Sequence, residues 1–265
     1  MYDFAYHKPT NLADAAKLIG AKKDGRLLAG GQTLLPTMKQ RLAQPSDLVD
    51  LAGVAELRGI KAEGGGVTVG AMTTHYAAHT SPELRKAIKA LAKLAGGIGD
   101  PAVRNRGTLG GSIANADPAA DYPAALVGLG ATVNTNQRKI AADDFFKGLF
   151  ETALKPGEIV LSVSFPAPKR AAYRKFANPA SRYAIVGVFV AETANGVRVA
   201  VTGAGPKVFR ATALEQALAK KFAPESLAGA SVPAAGLNSD LHASAEYRAH
   251  LIGVMAKRAV AAALK

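Results

Sequence analysis

Apolar positions along this chain fall into short runs whose period changes along its length. Asn11 to Ile19 reads as a short helix, with Asn11 as N-cap and Asp14 in the first turn. Arg26-Leu27-Leu28-Ala29 predicts a strand, Leu34 to Leu42 a helix with Pro36 in its first turn, and Asp47 to Leu51 a second strand. Together they make a small α/β unit. Leu57 to Lys61 and Val67 to Gly70 read as strands around the turn Glu63-Gly64-Gly65-Gly66. Helix begins at Thr74, and Leu84, Ile88, Leu91 and Leu94 predict one amphipathic helix from Pro82 to Ala95. A Gly-rich loop, Gly96 to Arg106, follows. Glu158 to Phe165 is a strand closed by Pro166 and Pro168. From Ala171 the pattern turns to β, with strands at Tyr183 to Glu192 and Val197 to Thr202 joined by Asn195-Gly196, a hairpin signal. Helices are expected at Ala211 to Lys221 and Ala245 to Leu264, and a domain boundary near Pro168.

Composition narrows the class. The 265 residues are 49% hydrophobic and 20% charged, so a packed core is expected and disorder is not. The longest apolar stretch, Tyr122 to Val133, contains Pro123 and is too short to span a bilayer. The opening Met1-Tyr2-Asp3 carries neither a basic stretch nor a following apolar run, so a cytoplasmic protein is expected. Cysteine is absent, which rules out disulfides, zinc–thiolate sites and cysteine-ligated iron–sulfur clusters in this chain. Any redox chemistry must then run on an organic cofactor. The net charge of +13 is spread over scattered pairs such as Lys22-Lys23 and Arg174-Lys175, and aromatics make up only 6%, poor material for stacking bases. Nucleic acid is not expected as the main ligand, although a basic module gripping nucleotide or nucleic-acid phosphates is the rival reading from a different class.

Two glycine pairs carry the candidate chemistry: Ala29-Gly30-Gly31-Gln32-Thr33 and Thr108-Leu109-Gly110-Gly111-Ser112. Glycine lets backbone N–H groups close on a ligand, and successive free N–H groups form a concave anion site. In the first pair these would be the N–H groups of Gly31 to Leu34, with Thr33 adding a hydroxyl; a plain strand-to-helix turn would also call for glycine there. The second pair lies in a dense run of small and polar residues from Arg104 to Asp121. Asp121 could accept from sugar hydroxyls or cap the helix that begins Tyr122-Pro123. Other motifs fail on context. Gly97-Ile98-Gly99-Asp100-Pro101-Ala102 fits the dinucleotide fingerprint letter by letter but follows a helix where that fingerprint needs a strand. His75 and His79 share metal-ligand spacing, yet lack a third ligand and read as surface histidines at a helix start.

The segments Ala29 to Pro36, Ile98 to Ser112 and Pro118-Ala119-Ala120-Asp121, with Pro179 to Ala184 further on, closely resemble the FAD-binding medium subunit of molybdenum hydroxylases, in particular that of aerobic carbon monoxide dehydrogenase. The resemblance implies an α+β chain. A two-subdomain FAD-binding domain of the vanillyl-alcohol-oxidase (PCMH) type, residues 1–55 and 56–168, would precede a smaller α/β C-terminal domain, residues 169–265. It implies that Ala29, Gly30, Gly31, Gln32, Thr33 and Leu34 hold the FAD pyrophosphate from one side and Thr108, Gly110, Gly111 and Ser112 from the other. Ile98 and Val160 would line the adenine or flavin pocket, and Asp121 would take a ribose or ribityl hydroxyl. Lys175 would sit near the flavin pyrimidine edge, and Tyr183 would pack on the ring unless it is a plain core aromatic. No residue of this chain is expected to be catalytic or to bind metal. The implied partners are a molybdopterin-containing large subunit and a small subunit with [2Fe–2S] clusters, in a dimer of heterotrimers. The implied role is electron transfer from those clusters to FAD and on to an external acceptor. A xanthine or N-heterocycle dehydrogenase is the alternative within the family.

Overall fold

The computed structural model describes residues 1–265. The N-terminal unit runs β1 (Ala5–His7), α1 (Leu12–Gly20), β2 (Arg26–Leu28), α2 (Leu34–Lys39) and β3 (Asp47–Asp50). Its strands form a parallel sheet in the order β1-β3-β2. Asn11 caps α1 as expected, accepting from the Asp14 N–H at 2.9 Å. Helix α2 stops at Lys39 rather than Leu42, because Arg41 takes a left-handed φ of 60°.

The second unit comprises β4 (Ile60–Glu63), β5 (Gly66–Gly70), α3 (His75–Thr80), α4 (Pro82–Ala87), α5 (Lys89–Gly96), α6 (Pro101–Arg106), α7 (Leu109–Asn115), α8 (Tyr122–Leu129), β6 (Thr132–Thr135), β7 (Lys139–Ala141), α9 (Ala142–Phe145), β8 (Phe146–Gly148), β9 (Glu151–Thr152) and β10 (Val160–Pro166). An antiparallel sheet of order β4-β5-β10-β6-β7 forms its floor, and β8-β9 is a separate hairpin. Two expectations fail here. The helix foreseen over Pro82 to Ala95 is two helices, broken at Ile88, whose φ of −142° and ψ of 72° cannot continue a helical turn. Ile88 stays buried, so apolar spacing survives the break and hides it. The foreseen Gly96 to Arg106 loop contains α6, started by Asp100, whose carboxylate accepts from the Val103 N–H at 2.8 Å ahead of Pro101.

The third unit holds β11 (Arg170–Ala177), β12 (Ala184–Thr193), β13 (Gly196–Thr202), β14 (Phe209–Arg210), α10 (Thr212–Lys220) and α11 (Ala245–Ala263), with an antiparallel sheet in sequential order. Strand β12 is buried on both faces. Val186, Val188 and Val190 join the core beneath α10 and α11, while Phe189 and Ala191 join the core of the second unit. Such a strand reads as a continuous apolar run, and its alternation decides which core each residue fills. No helix is long and apolar enough to cross a membrane.

Candidate functional site

A cavity of about 770 Å³ opens where the three units meet. Every residue that the resemblance assigns to the cofactor lines it except Lys175. Distance in sequence is bridged by packing: Gly30 abuts the Arg106 carbonyl, and a Cβ built on Gly111 would lie 3.4 Å from the Ala29 methyl. The two glycine pairs therefore touch and form one continuous stretch of lining instead of two separate jaws.

The pairs are built differently. In the first, Gly31 takes φ +74°, and the N–H groups of Gly30, Gly31, Gln32, Thr33 and Leu34 have no acceptor within the protein. The Thr33 hydroxyl makes no cap to α2. The second pair is not a loop. Thr108 is the N-cap of α7, and Gly110 and Gly111 are in its first turn. Here the donors are already engaged: Leu109 N–H to Thr73 O at 3.1 Å, Gly110 N–H to Ala71 O at 2.8 Å and Ser112 N–H to Thr108 O at 3.0 Å. The Gly111 N–H donates to Thr108 Oγ1 at 3.1 Å. A Cβ on Gly110 would come within 2.6 Å of the Ala71 side chain, so this glycine serves close packing against the chain just after β5.

Asp121 reaches the cavity but makes no side-chain cap to α8. Its carboxylate accepts from the Tyr173 hydroxyl at 2.5 Å and from Lys175 Nζ at 3.0 Å. Burial pushes its pKa up, against the opposing pull of the Lys175 ammonium and the Tyr173 hydroxyl. Lys175 is not itself in the lining but bonds two residues that are, Asp121 and Arg182. Besides Asp121, its ammonium donates to Gly97 O at 2.9 Å and Arg182 O at 2.7 Å, so its donors tie three pieces of wall together. Ile98 and Val160 are in the lining, and Tyr183 is a half-exposed aromatic at its edge.

Sequence reasoning missed several lining residues. His75, expected on the surface, is buried, packs its ring 5.4 Å from Tyr122 and leaves Nδ1 without a partner. Burial, helped by the nearby Arg104 charge, lowers its pKa to about 4. His79 bonds Ala92 O through Nδ1 at 3.0 Å, so the two imidazoles do not converge on a common metal. Phe150 and Arg182 also line the cavity, both with left-handed φ, 54° and 63°. No glycine or asparagine at these positions signals that conformation.

The donor set fits a dinucleotide cofactor. Unpaired backbone N–H groups suit an anionic centre, the apolar side chains suit flat rings, and an acidic side chain beside them suits sugar hydroxyls. Residues 2–168 match the family described as the FAD binding domain in molybdopterin dehydrogenase, and residues 171–263 match the CO dehydrogenase flavoprotein C-terminal domain. The carbon monoxide dehydrogenase medium chain of Hydrogenophaga pseudoflava is 36% identical over 98% of this chain and 96% of its own. The nicotine 6-hydroxylase medium subunit of Paenarthrobacter nicotinovorans is 37% identical over 96% and 95%. Among solved structures, carbon monoxide dehydrogenase from Hydrogenophaga pseudoflava superposes with TM-score 0.89 at 36% identity, covering 99% of this chain and 98% of that one. Quinoline 2-oxidoreductase from Pseudomonas putida 86 gives TM-score 0.89 at 33% identity, covering 99% and 97%. An FAD-binding domain thus precedes a CO dehydrogenase-type flavoprotein C-terminal domain, and the chain belongs to the medium, FAD-binding subunits of the carbon monoxide dehydrogenase-like molybdenum hydroxylases, as a flavoprotein subunit of an oxidoreductase.

Proposed function

We propose that this chain seats FAD in the described cavity and provides the electron outlet of a molybdenum hydroxylase complex. On this reading a molybdopterin-containing large subunit oxidises the substrate, and a small subunit carries the electrons through [2Fe–2S] clusters. The electrons would leave for an external acceptor at this chain, and the complex would be a cytoplasmic dimer of heterotrimers. Three segments, 1–55, 56–168 and 169–265, act as two FAD-binding subdomains and a C-terminal domain. When bound, FAD supplies a ring that accepts and releases electrons.

The chain's own residues bind and orient. The unpaired N–H groups from Gly30 to Leu34 hold the phosphate charges by fixed geometry, and Thr33 adds a hydroxyl. Thr108, Gly110, Gly111 and Ser112 bring α7 close enough to complete that wall. Ile98 and Val160 pack against the ring systems, Tyr183 covers one edge, and Asp121 takes a sugar or ribityl hydroxyl while Lys175 steadies it. The lack of cysteine supports a division of labour in which clusters reside on a partner. Relatives named for carbon monoxide, nicotine and glyceraldehyde share this medium-subunit type, which supports substrate choice being made elsewhere.

The unpaired run at Gly30 to Leu34 carries this reading. Co-expression with the proposed molybdopterin-containing and iron–sulfur subunits tests it. The purified complex is expected to hold one FAD per copy of this chain, with flavin absorption that bleaches when substrate is added. An assembled complex with intact clusters and molybdenum cofactor but without flavin contradicts the proposal.

A further inference from the structure

The cavity wall that carries Asp117 and Asp121 is held from across the molecule as well as by the unit it belongs to. Three consecutive carbonyls, those of Pro118, Ala119 and Ala120, accept from the C-terminal sheet. Ala184 N–H donates to Ala119 O at 3.2 Å and Gly203 N–H to Pro118 O at 2.7 Å. Between them stands Thr202, fully buried at the end of β13, with Oγ1 2.9 Å from Pro118 O and 2.7 Å from Ala120 O. The next link reaches into α11. Buried Arg248 donates to Ile185 O at 2.7 Å and Gly203 O at 3.0 Å, and pairs both oxygens of Asp240 at 2.8 Å. Gly203 itself, at φ +81°, admits no Cβ without collision with the Ala184 carbonyl.

We infer that Thr202 is a positioning residue for the cofactor: its hydroxyl, propped by Gly203 and Arg248, clamps the 118–120 segment so that the cavity wall keeps the shape FAD needs. The inference rests on FAD occupying this cavity. The physical reason is that buried carbonyls must find donors, and β13 supplies them from a sequence distance of more than 80 residues. Removing the hydroxyl leaves Ala120 O short of a donor, since Pro118 O keeps the Gly203 N–H, and the segment relaxes toward the cavity or toward water. The C-terminal sheet thereby sets cofactor affinity without touching the cofactor.

The test uses the assembled complex with Thr202→Val, which keeps the side-chain volume, and Thr202→Ser, which keeps the hydroxyl. Thr202→Val is expected to release FAD about tenfold more readily than wild type, the scale of one lost buried hydrogen bond, while Thr202→Ser stays near wild type. Amide hydrogen exchange of the peptide covering residues 117–124 supplies a second readout, measured after FAD is removed. Thr202→Val should exchange faster there, with β12 and β13 unchanged. Equal FAD retention in Thr202→Val and wild type overturns the inference, as does unchanged exchange at 117–124. Because the exchange difference is read without flavin, it fails or holds independently of where FAD binds.

Discussion

The two glycine pairs look alike as sequence and do opposite things as structure. At Gly30-Gly31 the backbone is left unsatisfied: its N–H groups point at no acceptor in the protein and await one. At Gly110-Gly111 every neighbouring donor is engaged by Thr108, Ala71 or Thr73, and glycine is needed for lack of bulk. A glycine pair thus marks close approach, and only the hydrogen-bond inventory tells whether a ligand or another part of the chain does the approaching. On the proposed reading the first pair binds the cofactor, and the second pair brings a helix near enough for binding to be enclosed.

Substitutions should separate the two. Gly30→Ala has the largest expected effect, because its Cβ collides with the Arg106 backbone and pushes the pairs apart. A stability loss of about 3 kcal/mol together with loss of flavin is expected, read by thermal unfolding and absorbance. Gly110→Ala clashes with Ala71 and threatens the Gly110–Ala71 bond, so about 2 kcal/mol of stability should go. Flavin should then fall only in proportion to unfolded protein. Flavin lost from a fully stable Gly110→Ala would mean that the second pair binds directly, and the contrast drawn above would collapse.

Mild acid should act on the second pair through His75. The His75 N–H bonds Gly107 O at 2.9 Å, just before Thr108. Its imidazole pKa lies near 4 in the fold against 6.5 when unfolded. Between those values the unfolded chain binds more protons, so stability is full above pH 6.5 and declines as pH falls toward 4. His75→Phe should flatten that part of the pH–stability curve, measured as thermal midpoint against pH. A curve that keeps its slope would remove His75 from the account. The smallest effect is expected from Gly31→Ala. The strain of a left-handed alanine costs about 1 kcal/mol, and the Leu35 side chain that its Cβ meets can move aside. Its flavin affinity should nonetheless drop, since the direction of the loop's N–H groups follows that φ.

Much of this was legible in the sequence because the signals are local. Asn11 before α1, the Asn195-Gly196 turn between β12 and β13, and the glycine pairs with their hydroxyl neighbours are each written within a few residues. The helix break at Ile88 was not, because burial of the residue was preserved while its backbone was not. Lys175 and Asp121 pair across 54 residues of chain, and Lys175 also joins the carbonyls of Gly97 and Arg182, contacts that no local pattern signals. Local reading marks Asp121 as a possible cap; only packing against β11 shows that Tyr173 and Lys175 each take one lone pair of its carboxylate and orient the rest. The clamp by Thr202 has no local signature at all. A threonine ending a strand is ordinary until the segment opposite it is known.

On the proposed reading Gly30 to Leu34 keep their donors free for the cofactor, whereas Leu109 to Ser112 have theirs already engaged. Amide hydrogen exchange with and without FAD, measured residue by residue over both segments, tests it most directly. Fast exchange is expected at Gly30 to Leu34 that becomes strongly protected when FAD is added, against protection at Leu109 to Ser112 that is present beforehand and changes little. Protection at Gly30 to Leu34 that does not respond to FAD would contradict it.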